Sequence, residues 1–242
     1  DYGKDGLMQT LANLERVKVR FVGAGRSKAE AWAPTIVEHD GFRIAFVAVT
    51  GIWNQPFYPH PGKELVADAD QTQLVAAVKK ARALADKVIV SHHGGYEYNP
   101  RPHLGTMKLF RAAIEAGADI IIGHHPHVVQ RVALIAGKPV FYSLGNLLMR
   151  MTSGKPWTQF GMLARLELHR DGPDKAWICP FRVHGMDPIP LASDPQRKLF
   201  EAHFAFKLRQ LQRVGAAVER DAVTRIGAYA ADGCAPVLAG PP

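Results

Sequence analysis

The chain has 242 residues, 47% apolar and 21% charged, with a formal net charge of +8. That composition supports a buried core and excludes general disorder, and no stretch reaches the ~20 apolar residues of a membrane-spanning helix. Its Lys and Arg residues are scattered, with neither a basic run nor a nucleic-acid motif, so the positive balance points to solubility or to an anionic partner such as phosphate or a polyanionic polymer, and away from nucleic acid.

Leu7, Leu11, Leu14 and Val17 recur at helical spacing and predict a helix over residues 5–17. Residues 19–22 read as a short strand ending in Gly23-Ala24-Gly25. Ser27 caps a short helix through residue 33, with Glu30 completing a capping box. Residues 35–38 and 42–49 form a predicted hairpin around Asp40-Gly41, a two-residue turn pair. The Pro- and aromatic-rich stretch 51–62 reads as a loop. A helix over 70–84 presents Leu74, Val78, Ala81 and Leu84 on one face. A buried strand over 87–90, a helix over 106–116 closed by Gly117, and a second buried strand over 119–122 complete a strand–helix–strand rhythm. That rhythm argues an α/β class with at least partly parallel pairing.

After His127 the pattern changes. Residues 128–134, 139–143, 161–169 and 175–183 read as strands with short turns, which predicts an antiparallel sheet beside the α/β part. A long helical pattern covers about 194–220, and the tail from 233 to 242 reads as frayed. No repeat or composition break divides the chain, so residues 1–242 read as one domain. Cys179 and Cys234 are too few for a disulfide framework and lie outside any CxxC pattern. They are free or paired, and they leave the compartment open.

Six of the eleven histidines fall between His92 and His127, and five of these form two clusters where strands should end. One is Val88-Ile89-Val90-Ser91-His92-His93-Gly94-Gly95; the other is Ile120-Ile121-Ile122-Gly123-His124-His125-Pro126-His127. Apolar runs that end in Gly and His deliver imidazoles to the carboxyl edge of an α/β sheet, where ligands bind. Imidazole is a common metal ligand and titrates near neutrality, so the clusters point to a metal site, an acid/base site, or both. The bland reading is a turn whose histidines cap backbone groups. Side-chain alternation sends His92 and His93 to opposite faces of their strand. Glu97 is a candidate carboxylate for orienting a ligating imidazole, or else an exposed loop acid. Asn146, in Tyr142-Ser143-Leu144-Gly145-Asn146, is a candidate for holding an anionic oxygen or a metal, or else a turn residue.

At this point the motifs match a family. Segment 91–98, Ala116-Gly117-Ala118-Asp119 with 123–128, and Gly137-Lys138-Pro139 with 142–146 together resemble the bacterial capsule-synthesis family CapA/PgsA, of poly-γ-glutamate synthesis. Asp1-Tyr2-Gly3, Gly6-Leu7 and Gly23-Ala24-Gly25 resemble the family segment that follows its Asn-Asn-His motif. The resemblance covers residue 1 to about 183. It implies a four-layer α/β/β/α sandwich of the calcineurin-like metallophosphatase type with two divalent metal ions, Mn, Fe or Zn. It also implies a cell-envelope role, extracytoplasmic and membrane-anchored through an earlier segment, with capsule-synthesis membrane proteins as partners.

Residue by residue, the resemblance implies that His93, His125 and His127 ligate metal and that His124 lies close to the site, with His124 or the histidine of the preceding motif as proton donor. Asp1 would orient the histidine of the preceding motif, and Glu97 and Asn146 would line the substrate cleft. The family's Gly-Asp, Asn-Leu-Glu and Asn-Asn-His motifs are expected before Asp1. The chain is therefore expected to be an N-terminally shortened piece that holds part of a site. Its departures are Gly94 where many members have Trp, and Leu147 where Phe is usual. Three functions compete: a metal-dependent phosphoesterase-like hydrolase, a non-catalytic binder of poly-γ-glutamate or a similar polyanion, and a metal-free scaffold.

Overall fold

The computed structural model describes residues 2–53, 62–149, 151, 154–191, 198, 200 and 224–239. Its class is mixed α/β. The chain divides into two compact units: Asp1–Gly94 with Lys108–Ile120, and Gly95–Met107 with Ile121–Pro242. The helix expected over 194–220 lies outside the described residues. No helix among the described residues is long and apolar enough to cross a membrane.

In the first unit, α1 (Gly3–Arg16) buries Leu11, as its spacing predicts. Residues 19–22 form no strand. Val19 N–H donates to the Leu14 carbonyl at 2.9 Å, Thr35 Oγ1 donates to the Phe21 carbonyl at 2.7 Å, and an Arg20 guanidinium nitrogen donates to the Ile36 carbonyl. Helix α2 (Lys28–Ala31) is capped by Ser27, whose side chain accepts from Glu30 N–H. The Glu30 carboxylate returns to the N–H of Arg26, one residue before the position a capping box requires.

Strands β1 (Thr35–His39) and β2 (Phe42–Thr50) form the expected hairpin. Asp40 and Gly41 both take positive φ, 50° and 69°, which matches the twist of a two-residue hairpin turn. Helix α3 (Gln71–Arg82) starts at Asp70, whose carboxylate accepts from Gln73 N–H. Strand β3 (Lys87–His93) runs parallel to β2, in register from Ile44↔Lys87 to Thr50↔His93. It extends three residues beyond the predicted strand and so carries both histidines of the first cluster.

Asp119 ties this unit together. It is 3% exposed, accepts from Arg82 at 2.6 Å and from Val88 N–H at 2.9 Å, and anchors the end of α3 to β3. Removing the guanidinium leaves a buried carboxylate without its ion-pair partner, which is strongly destabilising. Arg82→Met is therefore expected to lower the unfolding free energy by about 3 kcal/mol, read from urea midpoints. A midpoint equal to the parent's would show that Asp119 is satisfied without Arg82.

Helix α4 (Leu104–Glu115) leads to Gly117 (φ 115°) and then to β4 (Ile120–His124). In the second unit, β6 (Lys138–Phe141) pairs parallel to β4, and β5 (Val132–Ile135) pairs antiparallel to β6. This corrects the expectation that residues 128–143 join an antiparallel sheet with the later strands. Pro139, Val140 and Phe141 are all buried, and a strand covered on both faces suits parallel pairing.

The antiparallel sheet is made of β7 (Phe160–Glu167), β8 (Lys175–His184), β9 (Asp187–Pro190), β10 (Thr224–Ile226) and β11 (Ala235–Ala239). Its pairings are β7–β8, β8–β9, β11–β8 and β10–β11. The tail expected to fray is thus a strand through residue 239. Ala235 and Val237 are buried, and a Cys179–Cys234 disulfide fastens β11 to β8. A five-residue Ala-Pro-Val-Leu-Ala segment has no periodic signal of its own. Its partner β8 decides its conformation.

Candidate functional site

In the first unit, β3 delivers its two histidines to opposite faces. His92 is 3% exposed and meets Phe110 edge-on at 5.1 Å, so it belongs to the core. His93 is exposed, and its carbonyl accepts from Gly51 N–H at 2.8 Å. Asp1, expected to orient a catalytic histidine, lies outside the described residues.

The second unit holds His124, His125, His127, Glu97 and Asn146. Strand β4 ends at Gly123-His124. Gly123 lies so close to the backbone of Tyr142 that any side chain there would collide with its carbonyl. That close approach sets the course of the chain into the histidine loop. His125 and His127 then take positive φ, 100° and 57°, and Tyr98 does so at 61°. Left-handed conformations in non-glycine residues cost free energy and concentrate at ligand-binding and catalytic sites. The His125 and His127 rings lie 6.0 Å apart, centroid to centroid.

Asn146 sets the chemistry of His127. Its Nδ2 donates to the Thr158 carbonyl at 2.9 Å and to the His127 carbonyl at 3.4 Å, so its Oδ1 is the atom that faces His127 Nδ1 at 2.7 Å. The acceptor Oδ1 requires the proton on Nδ1, which leaves the lone pair of the neutral ring on Nε2. This is how proteins orient a ligating imidazole. Both ends of the Asn146 amide are thereby engaged within the protein, and the residue is 5% exposed. Its part is to hold His127 rather than to grip a ligand.

Burial pushes the His124 imidazole below the ordinary histidine range. Burial disfavours the charged ring, so the neutral form of His124 is favoured. His125 is also lowered, chiefly by burial; the negative charge of Glu97 opposes this and the nearby His127 adds to it. Glu97 is exposed and acts on His125 through its charge. Among the described residues, no three His, Cys, Asp or Glu side chains gather as a metal-binding group. What this unit supplies is the imidazole pair, His125 with its neutral form favoured by burial and His127 with its Nδ1 turned to Asn146. The pair fits the histidine share of a metal centre.

Two groups that the sequence did not single out belong to this loop. Tyr98 stacks on His127, with centroids 6.1 Å apart and planes inclined by 28°, and its N–H donates to the Pro126 carbonyl at 2.8 Å. Thr158, 1% exposed, supplies the carbonyl that fixes the Asn146 amide. Neither carries a sequence signal. Tyr98 acts through its ring face and Thr158 through its backbone.

The family model described as bacterial capsule synthesis protein PGA_cap matches residues 1–151. The PGA biosynthesis protein CapA of Bacillus subtilis is 32% identical over 195 residues, covering 80% of this chain and 51% of that protein. The capsule biosynthesis protein CapA of Bacillus anthracis is 29% identical over 197 residues, covering 80% and 47%. The chain thus spans about half the length of these relatives. Among solved structures, the sulfate thiohydrolase SoxB of Thermus thermophilus is 19% identical, with a TM-score of 0.41, over 74% of this chain and 29% of that one.

Proposed function

Because the chain belongs to the bacterial capsule synthesis protein family, we propose that it serves in making an anionic capsule polymer of the poly-γ-glutamate type, and that its histidine loop is part of a metal-dependent, phosphoesterase-like hydrolase site. The observation that carries the hydrolase reading is the orientation of His127. A buried amide is committed to holding its Nδ1 proton, on a loop that keeps two histidines in left-handed conformations.

In this reading His125 and His127 of the second unit hold divalent metal, and His93 is a metal-ligand candidate of the first unit. Bound metal would supply Lewis-acid charge for a phosphoryl oxygen. The chain's own residues do the positioning. Asn146 holds the His127 tautomer, Glu97 biases the charge at His125, and His124, kept neutral by burial, offers a hydrogen bond or accepts a proton. The fold implied is the metallophosphatase sandwich. The location implied is the extracytoplasmic side of the envelope, with capsule-synthesis membrane proteins as partners. The Cys179–Cys234 disulfide favours that placement, because such bonds persist in oxidising compartments.

The net charge of +8 favours a second reading, in which the same surface binds the polyanion without cleaving anything. One experiment separates the two: metal analysis of the full-length protein, with a phosphodiester assay in Mn²⁺. The hydrolase reading predicts bound metal together with turnover that EDTA abolishes. Full metal occupancy without turnover on phosphoesters would overturn it in favour of polymer binding.

A further inference from the structure

The residues around the histidine loop include a cation that the metal reading leaves unused. Lys155 is exposed, and its Nζ lies 3.8 Å from the centre of the Tyr98 ring. Tyr98 in turn stacks on His127, so one ring contacts both the ammonium and the candidate metal ligand. A second route holds the same lysine in place. Lys155 begins the 3₁₀ turn Pro156–Gln159, and its carbonyl accepts from both Thr158 N–H at 3.1 Å and Thr158 Oγ1 at 2.7 Å. Thr158 passes the restraint to Asn146, and Asn146 passes it to His127. The backbone of Lys155 and the face its ammonium rests on are therefore each tied, by separate chains of contacts, to one imidazole.

Two features separate this from an ordinary surface lysine. A long ammonium side chain normally loses rotamer entropy when fixed, and surface lysines stay mobile unless something holds them. Here the aromatic face holds the head group. Among the described residues, no carboxylate pairs with Lys155. An exposed ammonium resting on the ring that also stacks on His127 is suited to binding an oxyanion.

We propose that Lys155 is a substrate-binding residue of the histidine-loop site, gripping an oxyanion of the substrate while Tyr98 sets the distance of that charge from His127. This rests on the reading of the loop as a site for an anionic substrate. The ligand chemistry is an anionic oxygen, supplied either by a polymer carboxylate or by a phosphoester.

The test is equilibrium titration of the full chain with two probes, a fluorescent poly-γ-glutamate oligomer and inorganic phosphate. Parent, Lys155→Gln, Lys155→Arg and Tyr98→Ala proteins are compared, with bound metal and thermal midpoint measured for each. Lys155→Gln is expected to weaken one or both probes by about tenfold to a hundredfold, the loss of one charge-assisted hydrogen bond, with metal content and midpoint unchanged. Lys155→Arg should retain binding because it keeps the charge and the ring contact, whereas Tyr98→Ala should weaken it because it removes the ring face on which the ammonium rests. Weakening confined to the polymer identifies carboxylate as the ligand; weakening confined to phosphate identifies the phosphoester. Parent-like binding of both probes by Lys155→Gln overturns the proposal and leaves the metal reading standing. Binding of neither probe by the parent protein also overturns it, whereas a full-length protein that binds a probe but holds no metal would overturn the metal reading instead.

Discussion

His127→Ala is expected to strip metal from the full-length protein and to abolish metal-dependent phosphoester turnover, because it removes an imidazole whose ligating nitrogen is already selected. His125→Ala should lower bound metal as well. The graded member of the series is Asn146→Ala. It keeps both imidazoles but releases the Nδ1 proton of His127, at present held at 2.7 Å. Loss of a residue that orients a metal ligand typically weakens affinity about 10–100-fold, so Asn146→Ala should fall between the parent protein and His127→Ala. The measurement is metal stoichiometry by elemental analysis together with competition against a chelator of known affinity. Unchanged stoichiometry in both histidine variants would refute the ligand assignment. Unchanged affinity in Asn146→Ala alone would show that the ring is oriented by something else, with its stack on Tyr98 the first suspect.

The second large effect concerns the disulfide. Cys179 and Cys234 are 55 residues apart in sequence and join β8 to β11. A cross-link over a loop of that length removes conformational freedom from the unfolded chain worth about 4 kcal/mol in the chain-entropy model. The double variant Cys179→Ala/Cys234→Ala is therefore expected to unfold at distinctly lower urea concentration than the oxidised parent. Reductant should bring the parent close to the double variant and leave the variant unmoved. Alkylation of the untreated, denatured protein, read by intact mass, should find no free thiol. Two alkylated thiols and coincident midpoints would show that the bond does not form, and would remove its support for an oxidising, extracytoplasmic setting.

Much of the first unit was legible because its signals are local. Leu7, Leu11 and Leu14 mark α1 by period, Asp40-Gly41 marks the hairpin by its turn chemistry, and Asp70 marks the start of α3 by capping. Each needs only residues a few positions away. Residues 19–22 failed the same kind of reading, because apolar composition gives a segment the capacity to pair but supplies no partner strand. Residues 128–143 and the tail failed for a related reason. Whether a short apolar run pairs parallel to β4 or antiparallel to β8 depends on chain brought in from elsewhere, and alternation within the run carries no record of it.

For the candidate site, the sequence by itself determined the chemistry available: histidines after apolar strands, glycine where the chain must pass close to its neighbour, and motifs that identify the family. It also determined that His92 and His93 part company, since alternation along a strand is a local rule and the structure buries one and exposes the other. Only the tertiary structure decided how those groups are used. It turned Asn146 from a candidate ligand-gripping residue into the group that selects the His127 tautomer, because a buried amide must satisfy both of its ends and Thr158 takes one of them. It placed Tyr98 on His127 and Lys155 on Tyr98, residues far apart in the chain whose contacts are set by packing and leave no pattern in the sequence.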